Sequence, residues 1–334
     1  MTTATTLPLK PIEADFVEKL QETIDQRDAI RDVVGKAVQA GLRNVYFVGA
    51  GGSIICSYPA FYLLQREASL PVFQVQSDEL NCSVPRLMGE GSLVVLASYT
   101  GTTKETVAAA KTAKAAGATV IAVAKEGSPL AEAVDVAFKG KSDLFELLVA
   151  YAILETTGTS IDLADVDTAI ANIPTALLDA VEKSSDYLGE IAAAFKDEPI
   201  TYVLGSGASY AWAYGLAMCF LQEMQWKHAA GYNTGEFFQG AFEMVDDDTA
   251  VILWLGDDQT RPMAERGKRF LETYCKKARY IDVAELELPG IPKSVRGEVS
   301  PLVVAALANR LAQQYEAVRG HDLETRRYMF KVEY

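Results

Sequence analysis

"VYFVGAGGS" covers residues 45–53, and "TYVLGSGAS" covers residues 201–209 with the same pattern. Each stretch is an apolar run of strand length that ends in a turn of glycine and serine and is followed by a helix-type pattern. Four positions are identical at a constant offset of 156 residues (202 minus 46), namely Tyr46/Tyr202, Gly49/Gly205, Gly51/Gly207 and Ser53/Ser209. Recurrence of a strand–turn–helix unit at a fixed offset predicts a duplicated α/β domain.

Other short apolar runs are also followed by helix-type patterns. These runs are "LVVLAS" (93–98), "VIAVA" (120–124), "VILWL" (251–255) and "RYIDV" (279–283). Strands that do not alternate polar and apolar residues are typical of parallel sheets covered by helices on both faces. The sequence therefore predicts an α/β fold of two tandem, doubly wound, flavodoxin-like parallel-sheet domains. We place an N-terminal helical segment at 1–40, the first domain at 41–165 and the second domain at 166–334.

The N-terminal segment carries a helical repeat of apolar residues. Phe16, Leu20 and Ile24 recur at helical spacing, and an apolar stripe continues toward Gly41. Glycine commonly follows the last turn of a helix, because it adopts the left-handed conformation at little cost. We expect a single first helix that ends near Gly41.

Composition narrows the classes of partner. The chain has 31 basic and 45 acidic side chains, a net charge of −14, which repels nucleic acids and anionic membranes. No run approaches the roughly 18 apolar residues of a membrane span, and the N-terminus has no secretion-signal pattern. Four cysteines, Cys56, Cys82, Cys219 and Cys275, form no C-x-x-C pair, so we expect buried thiols and no metal site. We predict a soluble cytoplasmic protein without nucleic-acid or membrane partners.

Two consecutive predicted strands end in loops suited to holding an anion. Gly51 and Gly52 permit a tight turn with close backbone approach, and Ser53 adds a hydroxyl donor at the start of the next helix. Ser98, Thr100, Thr102 and Thr103 supply hydroxyls after the second strand. Carboxyl ends of parallel strands meet at one edge of a sheet, so these loops predict a phosphate site.

Two alternatives remain for these loops. Ser and Thr at a strand-to-helix turn also serve as ordinary helix caps. A dinucleotide site is the other alternative, but "GAGGSI" has Ile54 where the third glycine of G-x-G-x-x-G is expected. The second half has Asp257 and Asp258 in place of the hydroxyl loop, so we expect the phosphate in the first half.

The motifs together resemble the sugar isomerase (SIS) domain family, which binds phosphosugars. The segment "FLQEMQWKHAAGYNTGEFFQGAFEMVDD" (220–247) is similar to that of double-SIS enzymes, and "TRRYMFKVEY" (325–334) is similar to the tail of deglycases for phosphorylated fructose–amino acids. A more distant resemblance is to the isomerase domain of glucosamine-6-phosphate synthase. The similarity runs from about Leu42 to Tyr334.

The resemblance implies roles for individual residues. Substrate and phosphate binding would fall to Gly51, Gly52, Ser53, Ser98, Thr100 and Thr103, with Tyr99 at a sugar-contacting position. Glu223 matches the catalytic glutamate that moves a proton between C1 and C2 of the open-chain sugar, and Lys331 matches a tail lysine that contacts this sugar. Gln239 departs from the family, which has a catalytic histidine there. His228, His321 or Glu236 could substitute for that histidine.

Each of these residues also has a structural interpretation. Glu223 could lie at a surface edge of an apolar helix instead of in a cleft, and His228 could be a hydrogen-bonded structural imidazole. Arg326, Arg327 and Lys331 could simply solvate the tail, although they form the only dense basic cluster that we find in this acidic sequence.

The resemblance implies a deglycase that cleaves a 6-phosphorylated fructose–amino acid to a hexose phosphate and a free amine. Alternatives are an aminosugar-phosphate ketose–aldose isomerase and a non-catalytic phosphosugar-binding protein. The chemistry is expected to need no metal and no organic cofactor. A homodimer is also implied, and the aromatic segments 57–64 and 236–242 suggest exposed surfaces for it.

Overall fold

The computed structural model describes residues 6–329 and 331–333, and the chain forms two compact units. The first unit is Asp15–Pro174. The second unit begins at Thr175 and also contains the N-terminal segment that ends at Ala14. The predicted bounds 1–40, 41–165 and 166–334 follow the sequence pattern and stay a prediction; residues 1–5 lie outside the described part.

The first unit is a five-stranded parallel sheet with helices between the strands. Its strands are β1 (Asn44–Gly49), β2 (Val72–Gln76), β3 (Ser92–Ser98), β4 (Thr119–Ala124) and β5 (Val136–Phe138). Its helices are α1 (Phe16–Ile24), α2 (Arg27–Gln39), α3 (Gly52–Glu67), α4 (Ser77–Cys82), α5 (Lys104–Ala115), α6 (Pro129–Ala133) and α7 (Ser142–Thr157). Helix α8 (Leu163–Phe195) contains the change from the first unit to the second.

The strand order of this sheet is β2-β1-β3-β4-β5. Strands β1 and β3 are parallel neighbours, with Val48 opposite Leu96. Every residue of both strands is buried, as expected for strands covered on both faces. Because the chain goes from β1 outward to β2 and then back to β3, the order reverses between β1 and β3. This is the switch point at which open α/β sheets bind ligands.

The second unit repeats this arrangement with four strands. They are β6 (Thr201–Gly205), β7 (Ala229–Asn233), β8 (Val251–Leu255) and β9 (Arg279–Asp282), in the order β7-β6-β8-β9. Its helices are α9 (Tyr210–Gly215), α10 (Thr234–Phe237), α11 (Arg261–Tyr274) and α12 (Arg296–Arg319). Since β6 takes the place of β1 and β8 that of β3, the predicted duplication of the α/β fold is confirmed.

Three strands have no counterpart in the sequence prediction. Strands β2 and β7 are edge strands with mixed burial, and β5 is an edge strand of three residues. Glutamines interrupt β2, a glycine and an asparagine interrupt β7, and β5 is too short, so none of the three has a strand-length apolar run.

Two other expectations are wrong in part. The single first helix is two helices, because the chain breaks at Asp25 and Gln26 between α1 and α2; Gly41 does follow the second one in a left-handed conformation, with φ +93°. Among the cysteines only Cys219 and Cys275 are buried, whereas Cys82 is exposed. In the described part of the chain, no helix is long and apolar enough to cross a membrane.

Candidate functional site

The turn after β1 brings backbone rather than side chains to the switch point. Gly51 has φ +55°, a left-handed conformation that favours glycine, and it precedes α3. A Cβ atom on Gly49 would lie 2.9 Å from the backbone nitrogen of Ile54, so strand and helix approach too closely for any other residue. Gly51 and Gly52 are exposed and Ser53 is half-buried, which leaves the start of α3 accessible to a ligand.

The loop after β3 is organised by its own hydroxyl groups. Ser98 is buried, and its Oγ accepts a hydrogen bond from the backbone nitrogen of Gly101 at 3.1 Å and lies 3.2 Å from Oγ1 of Thr103. The hydroxyls of Thr100 and Thr102 are 2.7 Å apart. Gly101 has φ +67°, and a Cβ atom there would be 1.9 Å from Oγ of Ser128. The sequence "SYTGTT" therefore fixes one loop conformation.

These hydroxyls do not cap the following helix. Thr103 occupies the N-cap position of α5, yet its side chain accepts no hydrogen bond from the helix within the described residues and contacts Ser98 instead. Gly51, at the N-cap of α3, has no side chain to contribute. The N-termini of α3 and α5 both lie at the switch point, and neither has a side-chain cap from its N-cap residue. Helix N-termini of this kind favour anions. Thr103 is therefore not a side-chain cap of α5, whereas Ser98 and Thr100 accept hydrogen bonds from backbone nitrogens of the turn itself.

The equivalent edge of the second sheet is occupied by internal ion pairs. Asp257, just after β8, pairs with Nε of Arg296 at 2.8 Å, and Oδ1 of Asp258 accepts a hydrogen bond from the backbone nitrogen of Thr260 at 2.7 Å. Both carboxylates thus have partners within the second unit, and the placement of the phosphate in the first half stays a prediction.

Glu223 lies near the end of a helix with unusual geometry. After α9 the chain continues as a π-helix over Leu216–Met224, and the backbone nitrogen of Gln225 donates to the carbonyl of Phe220. π-helical turns are rare and frequently occur at functional sites. Glu223 is half-buried there, with 24% of its side chain exposed.

The pKa of Glu223 is raised, because burial penalises the carboxylate. Arg326 opposes this effect, since its Nε lies 3.1 Å from Oε1 of Glu223, whereas Glu324 adds to it. Burial, with the nearby Glu223 charge, also raises the pKa of the Cys219 thiol to about 12. Glu223 is thus a partly desolvated carboxylate that is paired with Arg326.

The C-terminal tail folds back onto the end of this π-helix. After Gly320 (φ +61°) ends α12, the carbonyl of His321 accepts a hydrogen bond from Nε2 of Gln225 at 2.7 Å. The His321 ring is 4.5 Å from that of Trp226, and the guanidinium carbon of Arg327 is 4.4 Å from the Trp226 ring centre. The tail therefore has a defined position beside Glu223.

Lys331 belongs to the same cluster. Its Nζ donates to the backbone carbonyl of Arg326 at 2.5 Å, while the Arg326 guanidinium pairs with Glu223. The structure thus brings the predicted Glu223 and Lys331 into one neighbourhood. Sequence reasoning noted the basic tail but did not find the Glu223–Arg326 pair.

Gln239 and His228 lie at opposite ends of β7. The connection from β6 to β7 must return to the amino edge of the sheet, because the two strands are parallel. Exposed His228 directly precedes β7, at the edge where the π-helix with Glu223 ends. Gln239 follows α10 beyond the carboxyl end of β7, and its backbone nitrogen donates to the carbonyl of Glu236 at 2.9 Å. One copy of this unit therefore does not bring Gln239 to Glu223.

Tyr99 is 90% exposed, and its contact with a sugar stays a prediction.

The aromatic segment 57–64 is buried or half-buried throughout, so the expectation of an exposed surface there is wrong. In the segment 236–242 the ring of Phe237 is buried. Among the described residues no three His, Cys, Asp or Glu side chains are grouped to hold a metal ion.

The chain is thus a repeated parallel α/β unit, with a glycine turn and a hydroxyl loop at the switch point of the first unit. Comparison with known proteins agrees: the SIS domain model matches residues 40–159. Over 319 residues the chain is 34% identical to fructosamine deglycase FrlB of Bacillus subtilis (strain 168), covering 91% of this chain and 95% of that protein. The chain therefore belongs to the SIS domain family, in the group that includes this deglycase.

Further relatives give the same result. Fructoselysine 6-phosphate deglycase of Escherichia coli (strain K12) is 24% identical over 310 residues, which cover 90% of this chain and 89% of that protein. A crystal structure from Salmonella typhimurium LT2, assigned to the phosphosugar isomerases, superposes with a TM-score of 0.87 at 30% identity and covers 92% of this chain and 99% of its own. A crystal structure from Bacillus subtilis with the same assignment superposes with a TM-score of 0.85 at 30% identity, and the match covers 96% of this chain and 100% of that one.

Proposed function

We propose that this chain is a deglycase that cleaves a 6-phosphorylated fructose–amino acid into a hexose phosphate and a free amine. The observation that carries the proposal is Glu223, a half-buried carboxylate held by Arg326 in a chain that is 34% identical to a fructosamine deglycase. We place the protein in the cytoplasm, since its proposed substrate is a phosphorylated metabolite.

Glu223 is proposed as the base of the reaction. The substrate is a ketose with an amine on C1, and removal of a C1 proton, with protonation of the C2 oxygen, gives an enaminol. Return of the proton to C2, with loss of the proton on nitrogen, gives a Schiff base at C1, and water hydrolyses it to the aldose phosphate and the amine. One positioned carboxylate can carry both proton transfers, which contributes about 10² to 10⁴-fold to the rate. Burial makes Glu223 a stronger base than an exposed glutamate, while Arg326 favours its ionised form.

The loops of the first unit are proposed to bind the phosphate. The N-termini of α3 and α5 provide backbone donors, and Ser53, Ser98, Thr100 and Thr103 provide hydroxyls. This set binds an anion without a cationic side chain, in a protein of net charge −14. Tyr99, exposed beside this loop, is proposed to contact the sugar.

Lys331 is proposed to bind an oxygen of the open-chain sugar. Its Nζ is exposed and its one partner among the described residues is the carbonyl of Arg326, so it can exchange that partner for substrate. Gln239 can donate and accept hydrogen bonds but cannot transfer a proton near pH 7, so we assign it to binding.

We further propose a homodimer. The π-helix with Glu223 ends at the amino edge of the sheet, whereas Gln239 follows the carboxyl end of β7, so we expect that the two residues of one unit do not reach the same sugar. A symmetric pair of subunits can supply one of these residues from each copy. Light scattering at micromolar concentration tests this, and a monomer with full activity contradicts it.

The function is tested by incubating the purified protein with N-(6-phosphofructosyl) amino acids and measuring free amine and hexose 6-phosphate. Equal amounts of both products are expected. An aminosugar-phosphate isomerase would instead interconvert fructose and glucosamine phosphates in the presence of ammonia. Absence of product in both assays, with binding of hexose 6-phosphates retained, contradicts the enzyme and leaves a binding protein.

A further inference from the structure

Trp226 has a backbone conformation that bulky residues rarely adopt. Its φ of +51° lies in the left-handed region, which is unfavourable for a residue with a side chain. Hydrogen bonds on both sides hold it, since the backbone nitrogen of Gln225 donates to Phe220 at 2.9 Å and that of Lys227 to Leu221 at 2.8 Å. Despite this conformation, Trp226 stays 40% exposed, so the fold fixes an aromatic side chain at the surface.

Two tail side chains are arranged on this surface. The His321 ring lies 4.5 Å from the indole at 60°, and its buried Nε2 has no hydrogen-bond partner among the described residues. The guanidinium of Arg327 is stacked at 4.4 Å, a cation–π contact that fixes its plane. Arg327 is exposed, and no carboxylate pairs with it within residues 6–329 and 331–333.

The neighbouring cations already have partners. Arg326 pairs with Glu223, Lys331 donates to a backbone carbonyl, and Arg319 donates to the carbonyl of Gln225. Of the tail carboxylates, Oδ1 of Asp322 accepts a hydrogen bond from the backbone nitrogen of Glu324. Arg327 is therefore the guanidinium of this cluster that is oriented by an aromatic ring and available to an anion.

We propose that Arg327, stacked on Trp226, binds the carboxylate of the amine that leaves the sugar. The inference rests on the proposed function, in which Glu223 takes a proton from C1. The amine is bonded to C1, so its substituent lies within a few bonds of Glu223, and Trp226 is three residues further along the chain. A planar guanidinium binds a carboxylate through two parallel hydrogen bonds.

This subsite defines a substrate class, namely amino acids joined to the sugar through the α-nitrogen. In such conjugates the carboxylate is on the carbon next to the nitrogen. In a lysine joined through its ε-nitrogen the carboxylate is at the far end of the side chain, beyond the neighbourhood of Glu223.

The test is a binding measurement that requires no turnover. Two hexitol 6-phosphates, whose C2 carbonyl is reduced so that they cannot enolise, carry alanine or alaninamide through the α-nitrogen. Calorimetry on the wild-type protein is expected to show about tenfold tighter binding of the carboxylate form, as for a charge-assisted hydrogen bond. Arg327→Met is expected to reduce this ratio to about one, and Arg327→Lys to leave an intermediate ratio.

Arg266→Met is the matched control, because Arg266 is also an exposed arginine stacked on an aromatic ring, 4.5 Å from Phe238. It should keep the wild-type ratio. Equal binding of the two hexitols by the wild type, an unchanged ratio in Arg327→Met, or no binding of either overturns the subsite. Amine release from the keto substrate is measured separately, so a retained ratio without turnover contradicts the deglycase and not the subsite.

Discussion

Nε of Arg326 lies 3.1 Å from Oε1 of Glu223, so the proposed base is paired with a cation from the last residues of the chain. Burial raises the pKa of Glu223 and Arg326 lowers it, and the balance leaves it raised. A general base is most effective when its pKa approaches the working pH, and it acts only when ionised. Arg326 thus offsets part of the rise in the Glu223 pKa that burial causes.

Glu223→Gln is expected to abolish turnover, by about 10² to 10⁴-fold, because the amide keeps the shape of the side chain but cannot accept a proton. Affinity for the hexitol phosphates should stay within a few-fold of wild type. Glu272→Gln, an exposed glutamate of α11, is the control and should retain full activity. Wild-type turnover by Glu223→Gln would falsify the assignment of the base.

Arg326→Met should move the acid limb of the pH–activity profile to higher pH. Removing the cation takes away an interaction that lowers the pKa of Glu223, so the carboxyl stays protonated and inactive over a wider range. Activity should be recovered as the pH rises, and Arg326→Lys should lie closer to wild type. A uniform loss at all pH values, with an unmoved limb, would show that Arg326 acts only in folding or binding.

Ser98→Ala combined with Thr100→Ala should weaken binding of hexose 6-phosphates. Each lost donor costs about 1 to 3 kcal/mol if the phosphate oxygen is left unpaired. Calorimetry measures the effect, and Thr168→Ala, which removes an exposed hydroxyl from α8, serves as the control. Unchanged affinity in the double variant would mean that the hydroxyls only shape the loop.

The phosphate loops and the central strands could be predicted from sequence because both are local patterns. Runs such as "LVVLAS" identify strands buried on both faces, and the hydroxyls after Ser98 lie within one turn of chain. The Glu223–Arg326 pair could not be predicted in this way, since it joins residues far apart along the chain. The π-helix under Glu223 depends on packing and on a shifted hydrogen-bond register, for which the apolar segment 216–224 gives no signal.

Glu146, in the second turn of α7, is fully buried, and neither carboxyl oxygen has a hydrogen-bond partner among the described residues. Burial, with the nearby Asp143, raises its pKa well above the ordinary value of 4.5. The folded protein therefore binds a proton that the unfolded chain releases above that value, so stability contributed at acidic pH is lost as the pH rises toward the folded pKa.

Glu146→Gln should consequently stabilise the protein, and more so at pH 8 than at pH 5. Thermal unfolding should show a rise in Tm at pH 8 of at least about 2 to 4 °C, the change that 1 kcal/mol produces in a domain of this size. Glu22→Gln, an exposed glutamate of α1, should show no such trend. A Tm difference that is independent of pH would contradict a buried, protonated Glu146.

Gln239→His should be tolerated or raise activity, because the resemblance to double-SIS enzymes implies a catalytic histidine at this position. Gln239 is exposed, and its side chain makes no hydrogen bond within residues 6–329 and 331–333, so an imidazole replaces no contact of the fold. An imidazole with a pKa near 6.5 adds a group that can transfer protons during ring opening, so any gain in kcat should depend on pH around that value. Gln239→Asn, which keeps the amide, is the control and should give no pH-dependent gain.

Since a ketosamine partly opens without catalysis, the wild type can work with Glu223 alone. The gain in Gln239→His should therefore be largest for substrates whose rings open slowly. A strong loss of activity in Gln239→His with binding unchanged would show instead that the amide itself is required, and that this enzyme has replaced the proton-transfer role of the histidine with a hydrogen bond to substrate.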